Sequence, residues 1–260
     1  MKKLLTIAGF DPTNGAGIGN DIKILSGKGT YPLSIITAIT AQNTKKVEDV
    51  YPVSKEILRS QLSTLLSDIS IDGIKIGMLT TQDIAMIIWG EIRKFDIPIV
   101  FDPVMKSTGG DSLFFEENYK AYIDFIIPAS TIVTPNVPEA QALSGIVIKD
   151  RDDMSRAAHK LLDTGVKGVL IKGGHLENSE GDLFVDENTE EFLYNDEIFE
   201  SEIHGTGCSL AILILYYLAE KNSMLDSIRL ARNDLKTGIK NSFSLGHGSI
   251  ILDINRDGNE

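Results

Sequence analysis

Three features of the sequence predict a three-layer α/β/α sandwich around a mostly parallel central sheet. Apolar, β-rich runs alternate with amphipathic helical segments along most of the chain. Several of these runs are almost continuously apolar, the pattern of strands covered on both faces. The glycine- and charge-rich segments follow the runs, and in open α/β sheets ligands gather beyond the carboxyl ends of the strands.

The first strand, Leu4 to Gly9, empties into Gly9-Phe10-Asp11-Pro12-Thr13-Asn14-Gly15-Ala16-Gly17-Ile18-Gly19-Asn20-Asp21. Its glycines permit a closely approaching loop, with Asp21 in the first turns of the next helix, although turn chemistry explains such a loop equally well. No Gly-Lys-Ser/Thr follows, so it is not a Walker A loop. Leu33 to Ala41 forms the second strand and ends at Gln42. A helix follows Ser54, a candidate N-cap, with Ile57, Leu58, Gln61, Leu62, Leu65 and Leu66 on one face. Ile74 to Gly77 is a strand and Ile84 to Ile92 a helix after Thr81. Ile97 to Phe101, Thr131 to Thr134 and Val166 to Lys172 are further strands, the last preceded by a helix that starts at Asp152-Asp153 and carries Ala157, Ala158, Leu161 and Leu162.

Gly181 to Tyr194 breaks this rhythm. Asp182 to Asp186 and Glu191 to Tyr194 flank the polar Glu187-Asn188-Thr189-Glu190 turn and predict a β-hairpin on one sheet edge. Two long helices, one after Gly207 and one from about Ser223 to Phe243, close the pattern, and Asp253 to Glu260 reads as a solvated tail. With no repeat, low-complexity tract or linker, residues 1–260 read as one domain.

A hydrophobic content of 42% with 24% charged residues suits a globular chain long enough to bury a sizeable core. The 25 basic and 37 acidic residues give a formal charge of −12, which argues against nonspecific nucleic-acid or anionic-membrane binding. A phosphorylated small molecule stays open, because local amides and a lysine can hold it. One cysteine excludes an intramolecular disulfide and fits a reducing compartment. Asp11 interrupts the first apolar stretch too early for a signal segment, and no run approaches the ~18 apolar residues of a membrane span. A cytoplasmic location is expected.

Chemistry concentrates at the strand ends. In His204-Gly205-Thr206-Gly207-Cys208, ahead of the apolar run Leu210 to Leu218, the amides of Gly205, Thr206 and Gly207 open at the positive end of a helix, a site suited to phosphate. Cys208 lies in the first turn, where the same field lowers a thiol pKa. A glycine turn before a small buried cysteine is the other reading. Lys172, before Gly173-Gly174-His175, can reach a phosphate as a compact cation or stand beside a turn. Asp102, before Pro103, can hold Mg²⁺ directly or through water, or cap a turn. Asn136 and Glu139 have capping-box spacing, and equally suit the outer support of a hydrated Mg²⁺ on nucleotide phosphates. The Gln42 amide can donate and accept, as an amino group beside a ring nitrogen requires. Met78 is an apolar wall or simply core. His175 and His204 are candidate polar lids without metal-ligand spacing.

In this order, Thr6-Ile7-Ala8-Gly9 with Gly15-Ala16-Gly17-Ile18 and Asp21, Ile39-Thr40-Ala41-Gln42-Asn43-Thr44, Lys75-Ile76-Gly77-Met78-Leu79, Asp102-Pro103-Val104-Met105, Thr134-Pro135-Asn136-Val137-Pro138-Glu139, Ile171-Lys172-Gly173-Gly174-His175 and His204-Gly205-Thr206-Gly207-Cys208 resemble the hydroxymethylpyrimidine/phosphomethylpyrimidine kinases of thiamine biosynthesis, in the ribokinase-like superfamily. Leu245-Gly246-His247-Gly248 adds to the likeness. The resemblance implies a ribokinase-like fold, a homodimer, and ATP- and Mg²⁺-dependent phosphorylation of 4-amino-5-hydroxymethyl-2-methylpyrimidine and its monophosphate. It implies that Gln42 hydrogen-bonds the aminopyrimidine, that Met78 and Val104 line the pocket, and that Gly17 and Asp21 lie at the substrate loop. It further implies Asp102 and Glu139 around Mg²⁺, and Lys172, Thr206 and Gly207 at the nucleotide phosphates. Gly205, Thr206 and Gly207 become the anion hole, and Cys208 the base where many relatives carry an aspartate. Phe10, Thr13-Asn14, the Lys106-Ser107-Thr108-Gly109-Gly110 segment and Ile203 depart from the usual pattern. The alternatives are a pyridoxal or pyridoxine kinase, a catalytically weak pyrimidine sensor of the same fold, and a thiol enzyme with Cys208 as nucleophile. Gln42 favours the aminopyrimidine, because a pyridine ring offers no matching edge.

Overall fold

The layers are set by side-chain alternation along the first strand, β1 (Lys3–Phe10). Leu5 and Ile7 enter one apolar cluster, while Leu4 enters the cluster on the opposite face. The computed structural model describes residues 1–105, 119–174, 181–195 and 203–255. Through these runs follow α1 (Gly17–Gly27), β2 (Tyr31–Gln42), β3 (Val47–Pro52), α2 (Lys55–Asp68), β4 (Gly73–Ile76), α3 (Gln82–Ile92), β5 (Ile99–Phe101) and α4 (Tyr119–Ala121), which runs into a π-helical turn at Tyr122–Ile126. Then come β6 (Ile132–Val133), α5 (Val137–Ser144), α6 (Arg151–Leu162), β7 (Gly168–Ile171), β8 (Gly181–Asp186), β9 (Glu190–Tyr194), β10 (Ile203–His204), α7 (Thr206–Ala219), α8 (Met224–Lys240) and β11 (Ile250–Ile251).

Nine strands form one sheet in the order β3-β2-β1-β4-β5-β6-β7-β8-β9. From β2 to β7 every pairing is parallel, and the antiparallel pairings are β2–β3, β7–β8 and β8–β9. One face of the sheet packs on α2, α3, α5 and α6, the other on α1, α7 and α8. This is the predicted α/β/α sandwich, with the predicted edge hairpin at β8 and β9. Side chains of Ser54, Thr81, Asn136, Asp150 and Ser223 accept from amides of the first turns of α2, α3, α5, α6 and α8.

The differences from the sequence reading are local. The β3 edge strand was not expected: its Glu48, Asp49 and Tyr51 are exposed, so an apolar alternation is missing. β5 and β6 are shorter than the apolar runs around them, and the β10–β11 pair is too short to leave a period in sequence. The tail is partly tied down: Asn255 Nδ2 donates to the Lys23 carbonyl at 2.6 Å, while 256–260 lie outside the described residues.

One charge is built into this core. On β4, Ile74 and Ile76 face the α2/α3 layer, so Lys75 between them points toward α1 and α7. Its Nζ lies 2.9 Å from Asp21 Oδ2, both side chains being fully buried, and Thr6 Oγ1 donates to the same oxygen at 2.5 Å. Burial opposes the charge on Lys75, but Asp21, Cys208 and Asp102 outweigh it and hold the ammonium protonated well above its ordinary value. Burial raises the Asp21 carboxyl in spite of Lys75 and Thr6. Removing one partner strands the other charge in the core, so Lys75→Met should cost about 3–5 kcal/mol in urea unfolding. The Lys75→Met/Asp21→Leu double variant should recover much of that loss. A single-variant cost below ~1 kcal/mol, the range of an exposed pair, contradicts this account.

Candidate active site

Because β2, β1 and β4 through β7 run parallel, their carboxyl ends open on one side of the sheet. The loop after β1 and the turn before α7 meet there backbone to backbone. Gly205 has φ +85°, and a Cβ on it would strike the Gly15 carbonyl oxygen; Gly17 has φ +56°, and its Cβ would strike the Gly9 carbonyl. Only glycine suits positions both left-handed and this close to another chain segment. Asn20 Nδ2 donates to Ser209 Oγ at 2.8 Å and ties α1 to α7 next to Cys208. Unlike the five helices with side-chain caps, α1 and α7 have none, so the first-turn amides of α7 are not claimed by a capping side chain.

Lys172 reaches this helix end from β7. Its backbone N–H bonds the Pro135 carbonyl at 2.8 Å, which extends the β6–β7 pairing, and its Nζ lies 2.8 Å from Asp102 Oδ1. A Cβ on Gly207 would sit 3.2 Å from Lys172 Nζ and 3.9 Å from Asp102 Oδ2. Lysine, carboxylate and the amide end of α7 therefore share one small volume. Thr134 Oγ1 donates to Asp102 Oδ1 at 3.3 Å. Burial works against the Lys172 charge, but Asp102 and Glu139 prevail and raise its pKa.

Asn136 and Glu139 form the capping box in full: Glu139 N–H donates to Asn136 Oδ1 at 2.9 Å, and Asn136 N–H to Glu139 Oε2 at 2.8 Å. This does not exhaust Glu139. Its Oε1 accepts from Met105 N–H at 3.4 Å, and burial, with repulsion from Asp102, pushes its carboxyl up to about 7 against the pull of Lys172. Two carboxylates crowding one buried spot are a donor set that a hard cation relieves. Among the described residues no group of three or more His, Cys, Asp or Glu side chains forms a metal cage. The pair fits Mg²⁺ that keeps its waters and takes further oxygens from phosphate.

Cys208 is half-buried, with the Gly17 N–H directed at its sulfur. Burial pushes the thiol up to about 11, ahead of the lowering effect of Lys75, while Asp102 and Asp21 raise it further. This corrects the expectation of a lowered thiol pKa: lost hydration and two nearby carboxylates outweigh Lys75 and the Gly17 N–H. Asp21 is also placed differently from a loop contact. It is 0% exposed and sits beneath Cys208, paired to Lys75.

At the β2 end, Gln42 is half-buried; its amide lies 3.2 Å from Thr40 Oγ1 and 3.2 Å from His204 Nε2. His204 Nε2 lies 2.8 Å from Asp11 Oδ2. Burial raises the Asp11 carboxyl, but bonds from His204 and Thr13 overcome this and leave it below its ordinary value. Met78 is 6% exposed and packs on Gly9, so it is both core and wall. Val104 is half-buried beside Asp102. His175 and the Lys106-Ser107-Thr108-Gly109-Gly110 segment lie outside the described residues. Two contributors were not singled out from sequence. Lys75 had a readable signal, a lone charge inside an apolar strand; Asp11 had none, because its partner His204 is 193 positions away.

The family model described as phosphomethylpyrimidine kinase matches residues 11–253. The chain is 39% identical over 237 residues to a hydroxymethylpyrimidine/phosphomethylpyrimidine kinase of Rhizobium meliloti, covering 90% of this chain and 89% of the relative. It is also 39% identical to a probable thiamine biosynthetic bifunctional enzyme of Oryza sativa, covering 95% of this chain, and spans 46% of that longer protein. Among solved structures, a phosphomethylpyrimidine kinase from Clostridium difficile superposes with a TM-score of 0.82 at 37% identity, covering 92% of this chain and all of that one. A Staphylococcus aureus pyridoxal kinase in complex with AMP-PCP and pyridoxal gives a TM-score of 0.90 at 33% identity, covering 98% and 94%.

The buried Glu139 carboxyl sets a pH-dependent stability. Its folded pKa of about 7 stands above the ordinary 4.5, so its contribution is complete below 4.5 and lost as pH rises through 7. Glu139→Gln can keep the capping box and should be more stable than the parent at pH 8, by on the order of 2 kcal/mol. The gap should close toward pH 4.5. Thermal melts of both proteins across this range check it, and a pH-independent difference contradicts it.

Proposed function

The chain belongs to the phosphomethylpyrimidine kinase family and is a phosphotransferase; from that premise we propose that it transfers phosphate from ATP to the hydroxymethyl group of 4-amino-5-hydroxymethyl-2-methylpyrimidine and then to its monophosphate. The observation that carries this reading is the meeting of Lys172, Asp102 and the α7 amide end at Gly207. Phosphoryl transfer needs positioning and neutralised charge more than covalent chemistry, and these groups supply both. The AMP-PCP in the similar pyridoxal kinase supports ATP as donor.

In this reading Lys172 shifts from Asp102 onto the nucleotide phosphates, and the Gly205, Thr206 and Gly207 segment binds the oxygens of the transferred group. Asp102 and Glu139 would hold Mg²⁺, which neutralises phosphate charge when bound. Gly17 and its loop close over the acceptor, Met78 and Val104 flank its ring, and the Gln42 amide reads the amino group and ring nitrogen. Cys208, after losing its own proton to solvent, takes the acceptor proton as a thiolate. With its pKa about 11 the resting group is a thiol, and Lys75 beneath it favours the thiolate that must form. Asp21 acts indirectly, by holding Lys75 in place. The 1–260 chain works as one kinase domain, in the cytoplasm, and as a homodimer. Ile39 and Tyr51, register partners left 49% and 59% exposed on the β2–β3 edge, offer a surface for a second copy. Among the described residues no helix is long and apolar enough to cross a membrane.

The likeness to pyridoxal kinase keeps pyridoxal as the second reading. Mass analysis of products formed with ATP, Mg²⁺ and each alcohol separates them. We expect one and then two phosphoryl additions to the aminopyrimidine, with the higher efficiency; greater efficiency on pyridoxal overturns the assignment, and binding without ATP consumption marks a sensor. Cys208→Ser should lower kcat about 100-fold or more with nucleotide affinity nearly unchanged. The parent kcat should climb between pH 7 and 9 as thiolate becomes available, and the variant should lose that slope. Unchanged turnover removes Cys208 from the mechanism.

A further inference from the structure

One orientation of the Gln42 amide keeps donors from opposing each other, and what sets it lies beyond Gln42 itself. Asp11 is an ionised acceptor, taking bonds on its two oxygens from Thr13 N–H (2.8 Å), Thr13 Oγ1 (2.9 Å) and Ala16 N–H (3.0 Å). The His204 Nε2 that lies 2.8 Å from Asp11 Oδ2 must therefore carry a proton, because a bare nitrogen lone pair would face a carboxylate. That same Nε2–H faces the Gln42 amide. If the amide turns its NH₂ toward His204, two donors oppose each other. Thr40 would then have one hydroxyl proton for two acceptors, Gln42 Oε1 and the Phe10 carbonyl 3.1 Å away. A half-turn of the amide, whose oxygen and nitrogen are nearly isosteric, removes the opposed donors and frees the Thr40 proton, leaving one Nε2–H shared between a carboxylate at 2.8 Å and an amide oxygen at 3.2 Å. Gln42 Oε1 then shares the His204 Nε2 proton with Asp11 Oδ2, Gln42 Nε2 donates to Thr40 Oγ1, and Thr40 donates to the Phe10 carbonyl.

We propose that His204, anchored by Asp11, is a positioning residue that fixes the direction of the Gln42 amide and thereby decides which heteroaromatic edge the site accepts. The proposal rests on Gln42 being the ring-reading residue. After its two inward bonds the amide keeps one lone pair on the His204 side and one N–H on the Thr40 side. A ligand must therefore bring a donor to the first and an acceptor to the second. A ring amino group beside an unprotonated ring nitrogen does so. A 4-oxo ring, with a carbonyl beside a ring N–H, presents the reverse order. It is accepted only if the amide turns, which restores the opposed donors at His204 and the shared proton at Thr40. Sites whose buried polar groups would be left unpaired discriminate strongly between such analogues.

The experiment compares kcat/KM for the 4-amino alcohol and its 4-oxo analogue in five proteins. The parent should prefer the amino compound. His204→Leu removes the donor, frees the amide and should reduce the amino/oxo ratio at least tenfold, chiefly through KM for the ring compounds, with KM for ATP little changed. His204→Gln can offer an N–H near the same place and should retain most of the ratio. Thr40→Val, close to isosteric, should lower the ratio from the other side and serves if His204→Leu does not fold. A structural role alone would weaken both substrates together and leave the ratio untouched in His204→Leu and Thr40→Val; that result overturns the proposal. Gln42→Ala separates the levels. If it leaves the amino-compound KM unchanged, the ring-reading role itself falls. If it raises that KM while the His204 and Thr40 ratios stay at the parent value, only the orientation proposal falls.

Discussion

Negative charge held in a nearly dry place, and the need to neutralise it, shapes this site. Asp102 is 1% and Glu139 5% exposed, and Lys172 is the cation that faces both. Taking carboxylates out of water costs several kcal/mol each unless an opposite charge and hydrogen bonds are supplied. The supply here is a lysine on one strand end, a threonine hydroxyl on another, and the backbone of a helix start on a third segment. Such an arrangement is balanced for one occupant state and easily rebalanced by another. A polyphosphate brings more negative charge and Mg²⁺ brings positive charge, so Lys172 can change partner without leaving a buried group bare.

The fold makes this convergence through two simple devices. Parallel pairing from β2 to β7 puts the carboxyl ends of these strands on the same side, so residues from Gln42 to Lys172 gather there although they lie far apart in the chain. Strand alternation then sorts charge from core. On β4 the isoleucines serve one layer, while Lys75 alone turns to the other and sits under Cys208 with Asp21. Backbone contact of Gly205 on Gly15, and of Gly17 on Gly9, keeps the two uncapped helix ends side by side. A Cβ at either point would strike a backbone carbonyl and push the two segments apart.

Much of this was legible in the sequence. Alternating apolar runs identified the layers, turn residues the edge hairpin, and Ser54, Thr81 and Asn136 the helix starts. Asp102, Glu139 and Lys172 were also readable because each follows an apolar run, and Gly207 because it precedes one. What sequence spacing could not show was competition between fields. The helix end at Cys208 suggested an acidic thiol, yet burial and two carboxylates push it up to about 11. Asp21 read correctly as lying in the first turns of α1, but its expected place beside the substrate loop gave no hint of Lys75, the partner that only the three-dimensional path of β4 reveals. The bond between Asp11 and His204 joins positions 193 apart and leaves no local pattern. Glu139 shows that two readings of a residue need not exclude each other, since one oxygen completes the capping box while the carboxyl still faces Lys172 and Asp102.

The central claim is that Lys172 exchanges Asp102 for nucleotide phosphate at the open end of α7. Its most direct test is the affinity of a non-hydrolysable ATP analogue, measured by calorimetry with Mg²⁺ present, for the parent and for Lys172→Met. Loss of a charge-assisted contact predicts affinity weakened roughly 10- to 100-fold, with aminopyrimidine binding to the nucleotide-free protein little changed. Equal nucleotide affinity in the two proteins would contradict the account, because the pair between Lys172 and Asp102 would then be only structural.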